Sequence, residues 1–124
     1  MNNPPGKKLW ALAEGYIPEW SHGPKPELES HGTICVLNAG DQEAQLELTI
    51  YFADREPAGP YQMKVPARRT HHIRFNELRD PEAIPKGKDF ASVLSSQVPV
   101  VVQHTRIDTR QAEAALMSTI GYSQ

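Results

Sequence analysis

Gln103, His104, Thr105, Arg106, Asp108 and Arg110 fall within eight consecutive positions, directly after the apolar run Val98-Pro-Val-Val-Val102. Val-rich residues of this kind form core strands, and a core strand has no need of the charges that follow. A segment that turns polar within a few residues either carries a site or makes an interface. His104 is a candidate binding residue. Arg106 and Arg110 could grip a carboxylate or phosphate with paired N–H donors.

Other arginines could join them. Arg68 and Arg69 precede a predicted strand that carries Arg74, so Arg68, Arg69, Arg74, Arg106 and Arg110 could converge on an anion. The competing expectation is internal pairing with Glu47, Asp54 or Asp108, or plain solvation. Trp10 and Trp20 are candidate aromatic platforms, Trp20 within a loop where it could stack on a sugar, anchor a partner or cap the core. His71 and His72 are adjacent, so on a strand they point to opposite faces, and only one could meet His104. We take His72 as the candidate binding residue. No His-x-His or His-x₃-His pair and no second cysteine accompanies them, so the spacing argues against a metal centre. There is no Gly-x-Ser-x-Gly elbow, and Asp54, Glu56 and Asp80 lie in loops that suit solvated acids. The chain therefore reads as a binding protein with no cofactor rather than an enzyme.

Composition sets the frame. The 124 residues fit one domain, and a net charge of −2 does not mark the whole chain as a nucleic-acid binder, so DNA binding is the weak reading. Cys35 is the only cysteine, and in Thr33-Ile-Cys-Val-Leu37 it reads as a small buried hydrophobe in a reducing compartment. No apolar run approaches the roughly 20 residues that span a bilayer. The N-terminal stretch makes a poor signal peptide, so a cytoplasmic location without membrane insertion is expected. The 11 prolines and 8 glycines predict many turns and few long helices.

Periodicity then places the elements. Leu46, Leu48, Ile50 and Phe52 alternate with Gln45, Glu47, Thr49 and Tyr51, which makes 45–53 the clearest strand. Further strands are predicted over 9–13, 33–38, 61–65, 70–76, 90–95 and 98–108. A Pro/Gly/His-rich loop follows Trp20, and 77–89 is loop with at most a helical turn. Residues 110–120 fit a final strand better than a helix, although Gln-Ala-Glu-Ala-Ala-Leu-Met has helix propensity. The sum is an all-β, antiparallel β-sandwich of about eight short strands. It forms a single domain over 1–124, with 1–8 and 121–124 as flexible tails. Pro99 inside a strand predicts an edge or bulge position.

Long stretches of this chain also resemble one known family. They include Ala13-Glu-Gly-Tyr-Ile-Pro18, Leu37-Asn-Ala-Gly-Asp41, Val65-Pro-Ala-Arg-Arg-Thr70, Asp89-Phe-Ala-Ser-Val93 and Val101-Val-Gln-His-Thr-Arg106. The family is that of the sensory rhodopsin transducers, and the match runs almost end to end. The resemblance implies a β-sandwich protomer in a cyclic homotetramer. It implies a soluble signalling adaptor that binds the cytoplasmic face of a membrane photoreceptor and relays its state. Alternative roles are a regulatory module for a small sugar or anion, or a weak DNA-binding regulator. It assigns no catalytic residue, so Trp20, Arg68, Arg69, His72, Arg74, His104 and Arg106 stand as binding candidates on the residue arguments alone.

Overall fold

The computed structural model describes residues 3–20, 30–110 and 115–124. Most of the Pro/Gly/His-rich loop (21–29) and the start of the last predicted strand (111–114) lie outside the described residues. Among the described residues, eight strands run in the order β1 (Lys7–Leu12), β2 (His31–Asn38), β3 (Ala44–Phe52), β4 (Ala58–Val65), β5 (Arg69–Arg74), β6 (Phe90–Asp108), β7 (Ala115–Ile120) and β8 (Tyr122–Ser123). All pairings are antiparallel. The all-β expectation holds, and the last segment is the strand that the alternation favoured.

The strands form two layers that share β6. One layer has the order β4-β3-β6-β1-β8, and the other places β2 and β7 on either side of β6 with β5 beyond β2. Residues 90–96 of β6 pair with β3, and residues 101–107 pair with β2. The sequence suggested two strands, 90–95 and 98–108, and the structure corrects this to one continuous strand of 19 residues. Ser96-Gln-Val-Pro99 looks like a break because it interrupts the alternation. It is instead a bulge, since β6 advances from Ser95 to Val100 while β1 moves only from Leu9 to Lys7. Pro99 sits in that bulge, where a missing N–H costs no ladder bond. The Trp10 indole closes it, with Nε1 donating to the Lys7 and Val100 carbonyls at 3.0 Å each. Trp10 is therefore a buried core residue rather than a platform.

The core lies between the layers. Leu46, Leu48 and Ile50 on β3 face Ile34 and Val36 of β2 and Val100 and Val102 of β6 within one buried cluster. Several boundaries differ from the sequence expectation. β4 begins at Ala58, so the turn after β3 is shorter. Phe75 leaves the β5 ladder for a turn of 3-10 helix over Phe75–Glu77, from which its ring reaches the core. Cys35 is half-buried rather than buried, because it points from β2 to the outer face, 3.9 Å from the Thr105 hydroxyl. The segments expected as tails hold strand residues, since Lys7 and Lys8 begin β1, and Tyr122 pairs with Ala11.

β7 departs most from a sandwich strand. It pairs with β6, yet all six of its residues are exposed, Leu116, Met117 and Ile120 among them. At Gly121 the chain leaves β7 and crosses to the other layer to pair with β1. A Cβ on Gly121 would lie 2.7 Å from Leu12 Cδ2 and 3.2 Å from the Ala11 carbonyl oxygen, so a larger residue there would push Leu12 aside and crowd the β1 backbone.

Candidate functional site

Period-two alternation puts Val100, Val102, His104, Arg106 and Asp108 on one face of β6, the face that looks between the layers. The first two have no exposed surface, and His104 keeps 2%. Arg106 and Asp108 follow where the sandwich opens at its end. The polar run is therefore the continuation of a core face past the edge of the core.

There the guanidinium of Arg106 meets Glu14 from the segment after β1, with Nη1 3.0 Å from Oε1. Its Nη2 lies 3.8 Å from Asp108 Oδ2. Arg110 donates to the same Asp108 from Nη2 at 2.6 Å and from Nε to both carboxylate oxygens. These bonds from Arg110 hold the Asp108 carboxyl below its ordinary range, and in return Asp108 raises the Arg110 pKa. The ring of Tyr16 lies beside both cations, 5.3 Å from Arg106 and 5.6 Å from Arg110. Arg110 also sits 5.8 Å from the ring of Trp20, whose indole Nε1 donates to the Arg110 carbonyl at 3.3 Å. Two cations and two carboxylates thus balance, braced by two aromatic rings.

Of the candidates, the structure brings Trp20, His104 and Arg106 to this end and leaves the others elsewhere. Arg69 pairs with Asn38 while Arg106 pairs with Gly32, six positions along β2, or roughly 20 Å at strand rise. Arg68 is a turn residue with φ of 55°, its N–H on the Gly40 carbonyl and its side chain on Asp41. Arg69 is exposed beside it. His72 and Arg74 share the outer face of their sheet with Cys35 and Thr33, away from the face of His104. The proposed five-arginine cluster is not formed, and Arg106 and Arg110 instead pair internally, with Asp108 the shared partner. Sequence reasoning missed Glu14 and Tyr16. The acid and aromatics of Glu14-Gly-Tyr-Ile-Pro-Glu-Trp20 were the available signal, as a match for an unpaired Arg run. Among the described residues, no group of three His, Cys, Asp or Glu side chains could hold a metal ion, and no helix is long and apolar enough to cross a membrane.

Burial pushes the His104 pKa down. Glu14 pulls it up and Arg106 down, both more weakly, and its uncharged neighbour Phe75 meets the ring edge-on at 5.8 Å between centroids. A histidine with a depressed native pKa binds its proton more readily when unfolded. The stability it contributes is complete above its unfolded value of about 6.5 and is lost as pH falls through the native value. Urea unfolding between neutral and mildly acid pH should show this loss in the wild type and a shallower one in His104→Leu. Equal slopes for the two proteins would rule out His104 as the source.

The comparisons agree with this architecture. The family model described as "Anabaena sensory rhodopsin transducer" matches residues 5–123. A solved structure of the Anabaena sensory rhodopsin transducer is similar, at 59% identity and a TM-score of 0.75, over 82% of this chain and 97% of that one. A Thermotoga maritima protein, "Thermotoga maritima 1070", is similar at 33% identity and a TM-score of 0.87, over 98% and 97%. No curated protein matched. Because the family match runs from before β1 into β8 and takes in the whole of β6, the chain belongs to the Anabaena sensory rhodopsin transducer family.

Proposed function

We propose that this protein is a cytoplasmic signalling adaptor that binds a sensory rhodopsin and relays its state, acting by binding rather than catalysis. The observation that carries the reading is the 59% identity to the Anabaena transducer across 97% of that chain. The exposed β7 edge supports a binding role. An exposed edge strand bearing Leu116, Met117 and Ile120 is a hazard to a monomer unless something covers it. We propose that copies of this chain cover it in a homotetramer. The DNA-binding reading loses its support, because the arginines that would have made its surface are dispersed or paired.

Titration of the purified protein into a sensory rhodopsin in nanodiscs tests the adaptor reading, with light scattering on the same sample reporting its mass. Saturable binding at micromolar to tens of micromolar concentration and a tetrameric mass are expected. Absence of binding in both dark and illuminated states would overturn the adaptor. A monomeric mass would overturn the assembly.

A further inference from the structure

We propose that the free edge of β5 takes an acidic, extended polypeptide segment of another protein as an added strand. This goes beyond the adaptor role and does not rest on it. Between Pro66 and Glu77 the chain holds three arginines, two histidines and no acid, although its overall net charge is −2. β5 carries most of that charge to the rim of its sheet, since among the described residues it pairs with β2 alone. Arg69, Thr70, His71 and His72 are all exposed.

The backbone of this edge is open for pairing. The β2–β5 register runs unbroken from Thr33 opposite Arg74 to Asn38 opposite Arg69. In such a ladder every second residue of the edge strand turns its N–H and C=O away from the sheet. Sheets commonly close an edge with a bulge, a proline or a very short strand. β5 has six residues, with no proline and no bulge. An added strand would gain main-chain hydrogen bonds there, and its side chains would be read by alternation. Arg69 and His71 lie on one face of β5, and His72 and Arg74 on the other. Carboxylates at neighbouring positions of the added strand therefore meet basic side chains on both faces.

Charge selects the occupant. Arg68 is held by Asp41, with Nη1 3.2 Å from Oδ1. Arg69 places one donor on the Arg68 carbonyl at 3.0 Å. Among the described residues, no carboxylate pairs with Arg69, His71 or His72. A second copy of this chain does not supply one by strand pairing. β4, β7 and β8 are the other edge strands among the described residues, and none of their residues is acidic. Two β5 edges side by side would set basic residues against each other, and like charges directly opposite repel. Duplex DNA has no peptide backbone to continue the ladder. It also needs more phosphate contacts at ordinary salt than Arg68, Arg69 and Arg74 supply, with Arg68 already paired. A charged edge that serves only to keep other strands away predicts no saturable binding.

NMR titration of the whole protein, read at the backbone amides of β5, tests this. The probe is an end-capped peptide in which glutamate alternates with threonine and valine. Its counterparts are the same peptide with lysine for glutamate, a fully N-methylated version that keeps the charges and loses the backbone donors, and a short DNA duplex. Saturable shifts centred on β5, with a Kd of about 1 mM or tighter, are expected from the glutamate peptide. The outward amides of β5 should also gain protection from hydrogen exchange. Arg69→Glu combined with His72→Glu reverses the charge on both faces at exposed positions, where substitutions disturb folding little. That variant should weaken binding at least about tenfold. No saturable shift from the glutamate peptide, equal binding of the lysine or N-methylated version, undiminished binding in the double variant, or tighter binding of the duplex would each overturn the proposal.

Discussion

Leu48→Lys is expected to abolish cooperative folding at neutral pH. Leu48 has no exposed surface and sits mid-strand in β3, paired with Tyr61 of β4 on one side and Leu94 of β6 on the other. Removing the leucine forfeits about 1.5–3 kcal/mol of burial. The lysine must then hold a charge in the core or enter it uncharged. Deprotonating a lysine of pKa about 10.4 at pH 7 costs about 4–5 kcal/mol at 1.36 kcal/mol per unit. The two losses together match the whole stability of a typical domain, about 5–15 kcal/mol. Glu47→Lys, one position away on the exposed face, should stay within about 0.5 kcal/mol of the wild type. Urea unfolding followed by far-ultraviolet circular dichroism reads both. A cooperative Leu48→Lys transition within about 1 kcal/mol of the wild type would mean that this face is not the core.

That prediction could be written from the sequence, because a period of two on one strand fixes which side chains share a face. The same rule, applied to β6, puts His104 and Arg106 on one face. It could not say what lies across from them. Glu14 meets Arg106 over 92 positions of chain, and such a contact depends on which strands neighbour each other and in what register. The five-arginine cluster failed for this reason. Each arginine was near a strand, but the β2–β5 and β2–β6 registers set Arg69 and Arg106 far apart. β6 itself was divided in error because a bulge and a turn look alike in one strand. They differ in the partner, where the Trp10 indole bridges the Lys7 and Val100 carbonyls. The exposure of β7 was likewise invisible, since alternation predicts that a strand has faces and not that either face is covered.

Asn38 is the residue whose importance the sequence concealed most, and its replacement carries the second large expected effect. Leu37-Asn-Ala-Gly-Asp41 reads as a strand ending in a turn, which describes the backbone and leaves the carboxamide unremarked. In the structure Asn38 has no exposed surface. Its Nδ2 donates to the carbonyls of Gln42 at 2.8 Å, Val65 at 3.1 Å and Pro66 at 3.2 Å, and its Oδ1 accepts from the Gly40 N–H at 3.1 Å. One side chain thus ties the β2–β3 turn to the end of β4. Asn38→Leu leaves several of these groups without a partner, at about 1–3 kcal/mol for each that water cannot reach, so a loss of at least about 3 kcal/mol is expected. Asn38→Asp separates hydrogen bonding from shape. Its carboxylate would face three carbonyl oxygens with no donor, whereas its protonated form keeps one. The native state of that variant therefore favours the proton, so its folded pKa lies above the unfolded value of about 3.9. The proton-dependent part of its stability is full below the unfolded value and is lost as pH rises through the folded one. Relative to the wild type at each pH, Asn38→Asp should be least stable near neutrality and recover part of the difference on acidification. A deficit that is constant with pH would show that the carboxamide donors are not what holds the turn.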